Sequence, residues 1–366
     1  MNDFHQMMMR RALRLARKGV GKTAPNPAVG AVIARDGIVV GEGWHRRAGT
    51  PHAEIHALAM AGDAARGGDL YVTLEPCSHF GKTPPCADAL IAAGVARVFI
   101  GMIDPNPMVS GRGGDRLRRA GIEVESGLLE DDCRRLNEPF IKHVTAGTPF
   151  VVLKSAMTLD GKTATPSGDS LWVSGEQSRR MVHSLRAAMD SVMVGVGTLL
   201  ADDPELTVRM VRGRNPLRIV VDSELRTEPT ARLFSQGGGV IIATSSSDTA
   251  RMAALTSAGA EVIVCRSSGG RVDLRDMLQH LGSRGVQSVL LEGGETLAGE
   301  MLRQGLIDKF LFFIAPKLVG GDGKGIFAGA GAPLMADALP MRIARTSRVG
   351  DDILLEAYPE VRCSQD

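Results

Sequence analysis

The chain has 366 residues, a length at which two hydrophobic cores are a better expectation than one. Its composition, 44% hydrophobic and 23% charged, excludes disordered and fibrous classes. A formal net charge of +2 supplies no global field to hold a nucleic acid or an anionic membrane, so any anion site must be local. No apolar run reaches membrane-spanning length. Five cysteines, an odd number spread along the chain, suit a reducing cytoplasm better than a disulfide framework, and a cytoplasmic protein is expected. Cys133, Cys265 and Cys363 belong to no motif.

At the N-terminus, Arg10, Arg11, Arg14 and Arg17 among Met7, Met8, Leu13 and Leu15 mimic an amphipathic transit peptide. Asp3, the lack of serine, and the missing apolar h-region and cleavage site make the stretch a first helix instead. Strands are then expected at 28–34 and 38–43, a helix at 53–65 and a strand at 71–74. A helix at 86–93, a strand at 95–100, a helix at 114–120, a strand at 122–124 and a helix at 129–143 follow. This alternation predicts a sheet with helices on both faces.

Thr145 to Pro149, with Gly147 between, reads as a joint, dividing the chain into domains 1–146 and 147–366. Beyond it, strands are expected at 150–155, 191–194, 217–221, 240–243, 261–264 and 288–291, with helices at 176–188, 274–281 and 296–304. The strands at 309–314, 342–349 and 353–358 have little helix between them and are expected to pair antiparallel, giving a mixed sheet. Gly237, Gly238 and Gly239 read as a plain loop.

His52-Ala53-Glu54 opens a helix, Pro76-Cys77 follows a strand, and Cys86 begins the next helix. That pattern is a zinc-deaminase signature. The chemistry needs three ligands that leave one tetrahedral position for water, and a nearby carboxylate that is not a ligand. His52, Cys77 and Cys86 are the expected zinc ligands and Glu54 the expected proton carrier. Zinc brings the pKa of its water from about 15.7 to about 7. Glu54 would accept that proton and pass it to the ring nitrogen and the departing amine. The alternative is a closed structural site with His56 or His79 as fourth ligand, although His56, one turn after His52, reads as a packed or solvated helix residue.

Eight residues separate Cys77 from Cys86, unlike the short P-C-x-x-C of nucleobase deaminases. The run from Pro76-Cys77-Ser78-His79 to Gly81-Lys82-Thr83-Pro84-Pro85-Cys86 resembles the riboflavin-pathway deaminases instead, as do Pro25-Asn26-Pro27 and Asp104-Pro105-Asn106-Pro107. After the joint, Lys154-Ser155-Ala156-Met157-Thr158-Leu159-Asp160-Gly161-Lys162 resembles the opening of the reductase domain of the same pathway. Leu-Asp-Gly-Lys alone would be only a turn. Further pieces fall in that family's order: Ser170 and Trp172, Arg186, Gly195-Val196-Gly197-Thr198, Ala201-Asp202-Asp203-Pro204, Leu206-Thr207-Val208-Arg209, Val221-Asp222-Ser223 and Leu291-Glu292-Gly293-Gly294-Glu295-Thr296. Over nearly its whole length the chain thus resembles the bifunctional deaminase/reductase family of riboflavin biosynthesis.

That resemblance implies an α/β protein in which an N-terminal cytidine-deaminase-like α/β/α sandwich precedes a dihydrofolate-reductase-like α/β domain. It implies two cofactors, Zn2+ and NADPH, and a small-molecule pyrimidine ribosyl phosphate as substrate. Asn26, His45, His79, Lys82, Asp104 and Asn106 would surround the pyrimidine or its ribosyl phosphate; Asn and Asp can read ring amides, while His and Lys can bind a phosphate. Ala156, Trp172, Thr198, Asp202, Ser223, Gly294, Glu295 and Thr296 would contact NADPH, and Ser170, Arg186, Leu206, Arg209 and Glu292 the reductase substrate.

Independently of the resemblance, Gly293 and Gly294 lie between a strand and a helix N-terminus, where free N–H groups favour a phosphate. The loop is no G-x-G-x-x-G fingerprint, which disfavours a Rossmann domain. Arg186 and Arg209 can pair with a ribose phosphate, but helical arginines are usually solvated. The expected reactions are hydrolytic deamination of 2,5-diamino-6-(5-phosphoribosylamino)pyrimidin-4-one, then reduction of its ribosylamino side chain to ribitylamino. The rivals are a single-activity zinc deaminase with a C-terminal nucleotide-binding module, and a zinc and nucleotide sensor without turnover. No nucleic acid or membrane partner is expected; a homo-oligomer is.

Overall fold

A computed structural model describes residues 3–79, 84–107 and 109–360. The chain divides into two compact units, Met1–Gly147 and Thr148–Asp366, a division inside the joint at 145–149 and one residue past the expected boundary.

In the first unit α1 (Asp3–Ala16) is followed by β1 (Gly30–Arg35), β2 (Ile38–Trp44), α2 (Ala53–Ala61), β3 (Asp69–Leu74), α3 (Cys86–Ala93), β4 (Arg97–Met102), α4 (Arg112–Arg119), β5 (Glu123–Ser126), α5 (Glu130–Leu136) and α6 (Glu138–Ala146). The sheet order is β2-β1-β3-β4-β5; β1 pairs antiparallel with both neighbours, and β3, β4 and β5 run parallel. Residues on one strand alternate between faces, so Gly41 and Gly43 of β2 share a face with their partners Ile33 and Ala31. Helix α2 lies directly on that face. A Cβ on Gly41 would come within 2.2 Å of the Ala57 carbonyl oxygen, and one on Gly43 within 2.5 Å of that of Ala53. The opposite face carries α1, tied by Arg11 to Glu42 at 2.7 Å, and α5, whose Cys133 fills the space over Gly101. The result is the expected α/β/α sandwich around a core that includes Ile33, Leu70, Val72, Leu90 and Ile100.

The helix expected at 129–143 is in fact two helices broken at Asn137, whose φ of −116° leaves the helical region. Pro139 removes a helical donor at the start of α6. Asn137 is buried because it holds the segment that leads into β1: its Oδ1 accepts from Ala28 N at 2.8 Å and its Nδ2 donates to Ala28 O at 3.1 Å.

The second unit runs β6 (Phe150–Thr158), α7 (Glu176–Ala188), β7 (Ser191–Gly195), α8 (Val196–Asp202), β8 (Leu217–Val221), β9 (Val240–Thr244), α9 (Thr249–Ser257) and β10 (Ala260–Val264). A small ribbon of β11 (Ser267–Ser268) and β12 (Arg271–Val272) precedes α10 (Leu274–Ser283), β13 (Ser288–Glu292), α11 (Glu295–Arg303), β14 (Lys309–Ala315), β15 (Met341–Val349) and β16 (Asp352–Pro359). The large sheet has the order β10-β9-β8-β7-β13-β6-β14-β16-β15. It is mixed, as expected: strands β10 to β14 in that order are parallel, and β16 and β15 close the edge antiparallel. Helices α8 and α9 were not foreseen. Two glycines, Gly195 and Gly197, mask the start of α8, and α9 begins at Asp248, whose carboxylate accepts from Arg251 N in an N-cap.

Because α2 bears directly on Gly43, a methyl group there has nowhere to go. Gly43→Ala should cost about 1–3 kcal/mol of stability, the usual penalty of overpacking. Denaturant unfolding followed with zinc content should show both falling together, since α2 carries His52 and Glu54 at its start; an unchanged midpoint would show that α2 can shift outward freely.

Candidate active sites

His52 is the N-cap of α2, Cys77 lies three residues past β3, and Cys86 is the first residue of α3. Their ligating atoms all fall within 4.8 Å of one another: His52 Nδ1 is 3.2 Å from Cys86 Sγ and 3.6 Å from Cys77 Sγ. One imidazole nitrogen and two sulfurs at those separations suit a tetrahedral ion with bonds of about 2.0–2.3 Å. The donor set therefore fits zinc, with one position left for water. Among the described residues no fourth His, Cys, Asp or Glu joins the group; His56 stands outside it with Nε2 buried and unpartnered, and His79 is exposed.

Glu54, the second residue of α2, is 3% exposed, and burial pushes its carboxyl up to about 7. A carboxyl poised there can both take and release a proton at neutral pH. Cys77 is pulled well below the usual thiol range by the hydrogen bond from Cys86, which is raised in turn. His45 is buried beside the cluster, its ring 5.3 Å from that of His52. Its Nδ1 faces the Pro51 carbonyl at 3.2 Å and must carry the proton, so Nε2 accepts from Asn26 Nδ2 at 3.1 Å. Burial lowers the His45 pKa in keeping with that neutral form. Asp104, raised by burial, accepts from Asn106 N at 2.9 Å. Lys82 lies outside the described residues. Ser78 borders a cleft of about 450 Å³ that is otherwise lined by Arg112, Asp115, Arg116 and Arg119.

In the second unit some of the expected residues, Glu292, Thr198 and Ser223 among them, lie at or just beyond the carboxyl ends of parallel strands. Glu292 ends β13 opposite Lys154 of β6. Arg186, on α7, is not a solvated helix residue: it grips Glu292 through Nε at 2.6 Å and Nη2 at 2.9 Å, and its Nη1 donates to Thr207 O at 3.0 Å. Burial alone would raise the Glu292 carboxyl, but the Arg186 charge and hydrogen bonds, with Lys154, outweigh it and hold the group below the carboxylate range. Leu206 is buried beside Thr207, whereas Arg209 is exposed and paired with Glu205 at 2.7 Å.

Gly293 and Gly294, with φ of +77° and +79°, lead into α11, and a Cβ on Gly294 would meet the Thr198 hydroxyl at 3.0 Å. The glycines, Thr198 and the first amides of α11, next to Glu295 and Thr296, thus form a cradle suited to a phosphate of a dinucleotide. Ser223 follows β8, beside the strand that leads to Thr198. Asp202 closes α8 and is exposed. Ala156 sits on β6, while Ser170 and Trp172 lie in an exposed segment fastened by Lys317 Nζ to Trp172 O at 2.6 Å.

Three residues of these sites were passed over in the sequence. Lys154, half-buried next to Glu292, reads as one more residue of a strand; His183, whose Nδ1 accepts from Arg209 N at 3.1 Å, reads as a helix residue; and Glu75 follows a strand without any periodic signal. Only the i, i+3 spacing of His183 and Arg186 hinted at a shared face.

The model for the cytidine and deoxycytidylate deaminase zinc-binding region matches residues 2–102, and that for the RibD C-terminal domain matches residues 149–355. The chain is 44% identical over 360 residues to the riboflavin biosynthesis protein RibD of Escherichia coli, covering 95% of this chain and 97% of that one. The chain belongs to the RibD family. The RibD of Actinobacillus pleuropneumoniae is likewise 44% identical, over 95% of this chain and 93% of its own length. Among solved structures, Acinetobacter baumannii RibD superposes with a TM-score of 0.88 at 38% identity, covering 98% of this chain and 99% of its own. A diaminohydroxyphosphoribosylaminopyrimidine deaminase/5-amino-6-(5-phosphoribosylamino)uracil reductase from Thermotoga maritima gives 0.85 at 37%, covering 97% and 99%. The protein is a bifunctional enzyme of riboflavin biosynthesis, a zinc-dependent deaminase and an NADPH-dependent reductase.

The buried pair offers a direct test of its energetics. Arg186→Ala strands the Glu292 carboxylate and should cost about 3–5 kcal/mol, whereas exchanging both partners for apolar residues of like volume should recover most of that loss. Urea unfolding of the two variants decides; equal destabilisation of both would mean that packing, not charge, is what the pair supplies.

Proposed function

We propose that the first unit deaminates 2,5-diamino-6-(5-phosphoribosylamino)pyrimidin-4-one and that the second reduces the ribosylamino side chain of the product to ribitylamino, with the division between the activities at Gly147. The observation that carries this reading is the convergence of His52, Cys77 and Cys86 beside the buried Glu54 carboxyl. In that reading the three residues hold zinc, which when bound supplies an activated water at neutral pH. Glu54 takes the water proton and returns it to the ring nitrogen and the leaving amine. Asn26, His45, Asp104 and Asn106 orient the ring, and His79 and Lys82 receive the ribosyl phosphate.

In the second unit NADPH supplies the hydride. The chain holds it through Ala156, Trp172, Thr198, Asp202, Ser223 and the 294–296 segment, and places the substrate carbon with Ser170, Arg186, Leu206, Arg209 and Glu292. Excluding water and fixing the two carbons in line is the protein's contribution. The match of residues 149–355 to the reductase domain disfavours the single-activity reading. Among the described residues four cysteines are free, which supports a cytoplasmic setting. Exposed Ile343 on the edge strand β15, with exposed Leu334, Met335 and Leu339 before it, supports a homo-oligomer, and sedimentation at a monomer mass across micromolar concentrations would refute that.

Feeding the diamino substrate with and without NADPH and weighing the products should give the deaminated species alone, then the ribityl species. Glu54→Gln keeps the shape but cannot shuttle a proton, so deamination should fall by about a hundred- to ten-thousandfold. Zinc content, and reduction of already deaminated substrate, should persist; deamination within about tenfold of the wild type would remove Glu54 from the proton path. Gly294→Val forces a β-branched residue to φ +79° against Thr198, and NADPH titration should weaken sharply while deamination survives. An unaltered titration would take this loop out of the cofactor site.

A further inference from the structure

Between the last residue of β3 and the metal-site cysteine stands a buried carboxylate that the chemistry above does not use. Glu75 is 5% exposed and accepts four backbone N–H groups. Its Oε1 takes Gly113 N at 2.8 Å and Gly114 N at 3.0 Å; its Oε2 takes Gly111 N at 2.9 Å and Asp104 N at 3.2 Å. Three of those donors belong to the opening of α4, whose unpaired amides and dipole favour a negative charge. The fourth is the backbone of Asp104.

Two further contacts bind α4 to the same segment. Gly113 packs so closely on Pro76 that a Cβ there would lie 2.0 Å from the Pro76 carbonyl oxygen. Arg116, paired with Asp88 of α3 at 2.6 Å, donates through Nη1 to Ser78 O at 3.2 Å. The stretch 75–78 is therefore held at its carboxylate, at Pro76 and at Ser78, with Cys77 enclosed between them.

We propose that Glu75 is a positioning residue of the deaminase: one carboxylate fixes the 104–106 loop in register with Cys77, so that the ring-reading side chains meet the substrate at the height of the metal. This rests on the assignment of Asp104 and Asn106 to the pyrimidine. Glu75 touches neither metal ligand atoms nor substrate and moves no proton; its oxygens are fully engaged by the four amides.

Glu75→Gln tests it, because an amide has one acceptor oxygen and must turn its NH2 toward one of the two pairs of N–H donors. The KM of deamination should rise on the order of tenfold, as expected for loss of a hydrogen bond to a charged group, while kcat stays within about threefold. Zinc should remain at the wild-type stoichiometry and reduction should be unchanged. Hydrogen exchange should speed up at Asp104, Gly111, Gly113 and Gly114 together. Glu75→Asp keeps the buried charge but retracts it by one methylene, and should give an intermediate KM; it stands in if the glutamine variant does not fold.

An unaltered KM, a fall in kcat alone, or loss of zinc would each overturn the proposal. So would rapid exchange at Asp104 in the wild type, a measurement that needs no variant. The parent reading fails differently: Asp104→Ala in an otherwise native chain would then deaminate with wild-type KM.

Discussion

Parallel strand pairing is the constraint on which both sites depend. Strands that run the same way end at the same edge, and several of them, β3, β7 and β13 among them, are followed by a helix whose first amides are unpaired. In the first unit β3 and β4 deliver Cys77 and Asp104 to one edge, and α3 begins there with Cys86. In the second, β7, β8 and β13 deliver Thr198, Ser223 and Glu292 to one edge, with α11 opening beside them. Neither set is contiguous in sequence. The sheet makes each set local.

The two units treat a buried carboxylate in opposite ways. Glu54 is pushed toward neutrality chiefly by desolvation, which the attraction of His52 only partly offsets, and that suits a group able to gain and lose a proton. Glu292 is equally hidden, yet Arg186 and Lys154 keep it ionised, which suits a fixed charge. Burial is common to both, and the neighbours decide the protonation state.

What could be read in the sequence follows from the range of the forces involved. The zinc set was legible because His52-x-Glu54 and Pro76-Cys77 occupy fixed places relative to a helix start and a strand end. The alternation of strand and helix was legible because burial imposes its period on the side chains. The break at Asn137 was not, since it accompanies a pair of hydrogen bonds to Ala28, 109 residues upstream. Helix α8 was hidden by Gly197, whose low helix propensity is overridden by packing of Val196 and Leu199 into the core. Arg186 was expected at the site from the family resemblance, but its pairing with Glu292 was not legible, because only β13 brings that carboxylate against α7.

That ion pair also bears on which chemical groups could be accommodated beside it in the second unit. A ligand carboxylate aimed at Arg186 would have to displace Glu292 and leave it charged in a dry place, so the gain at the guanidinium is offset by the loss at the acid. A ligand that donates a hydrogen bond to Glu292 leaves the existing pair intact and adds to it. Against this pair, amide or amino donors are therefore better matched than an anion.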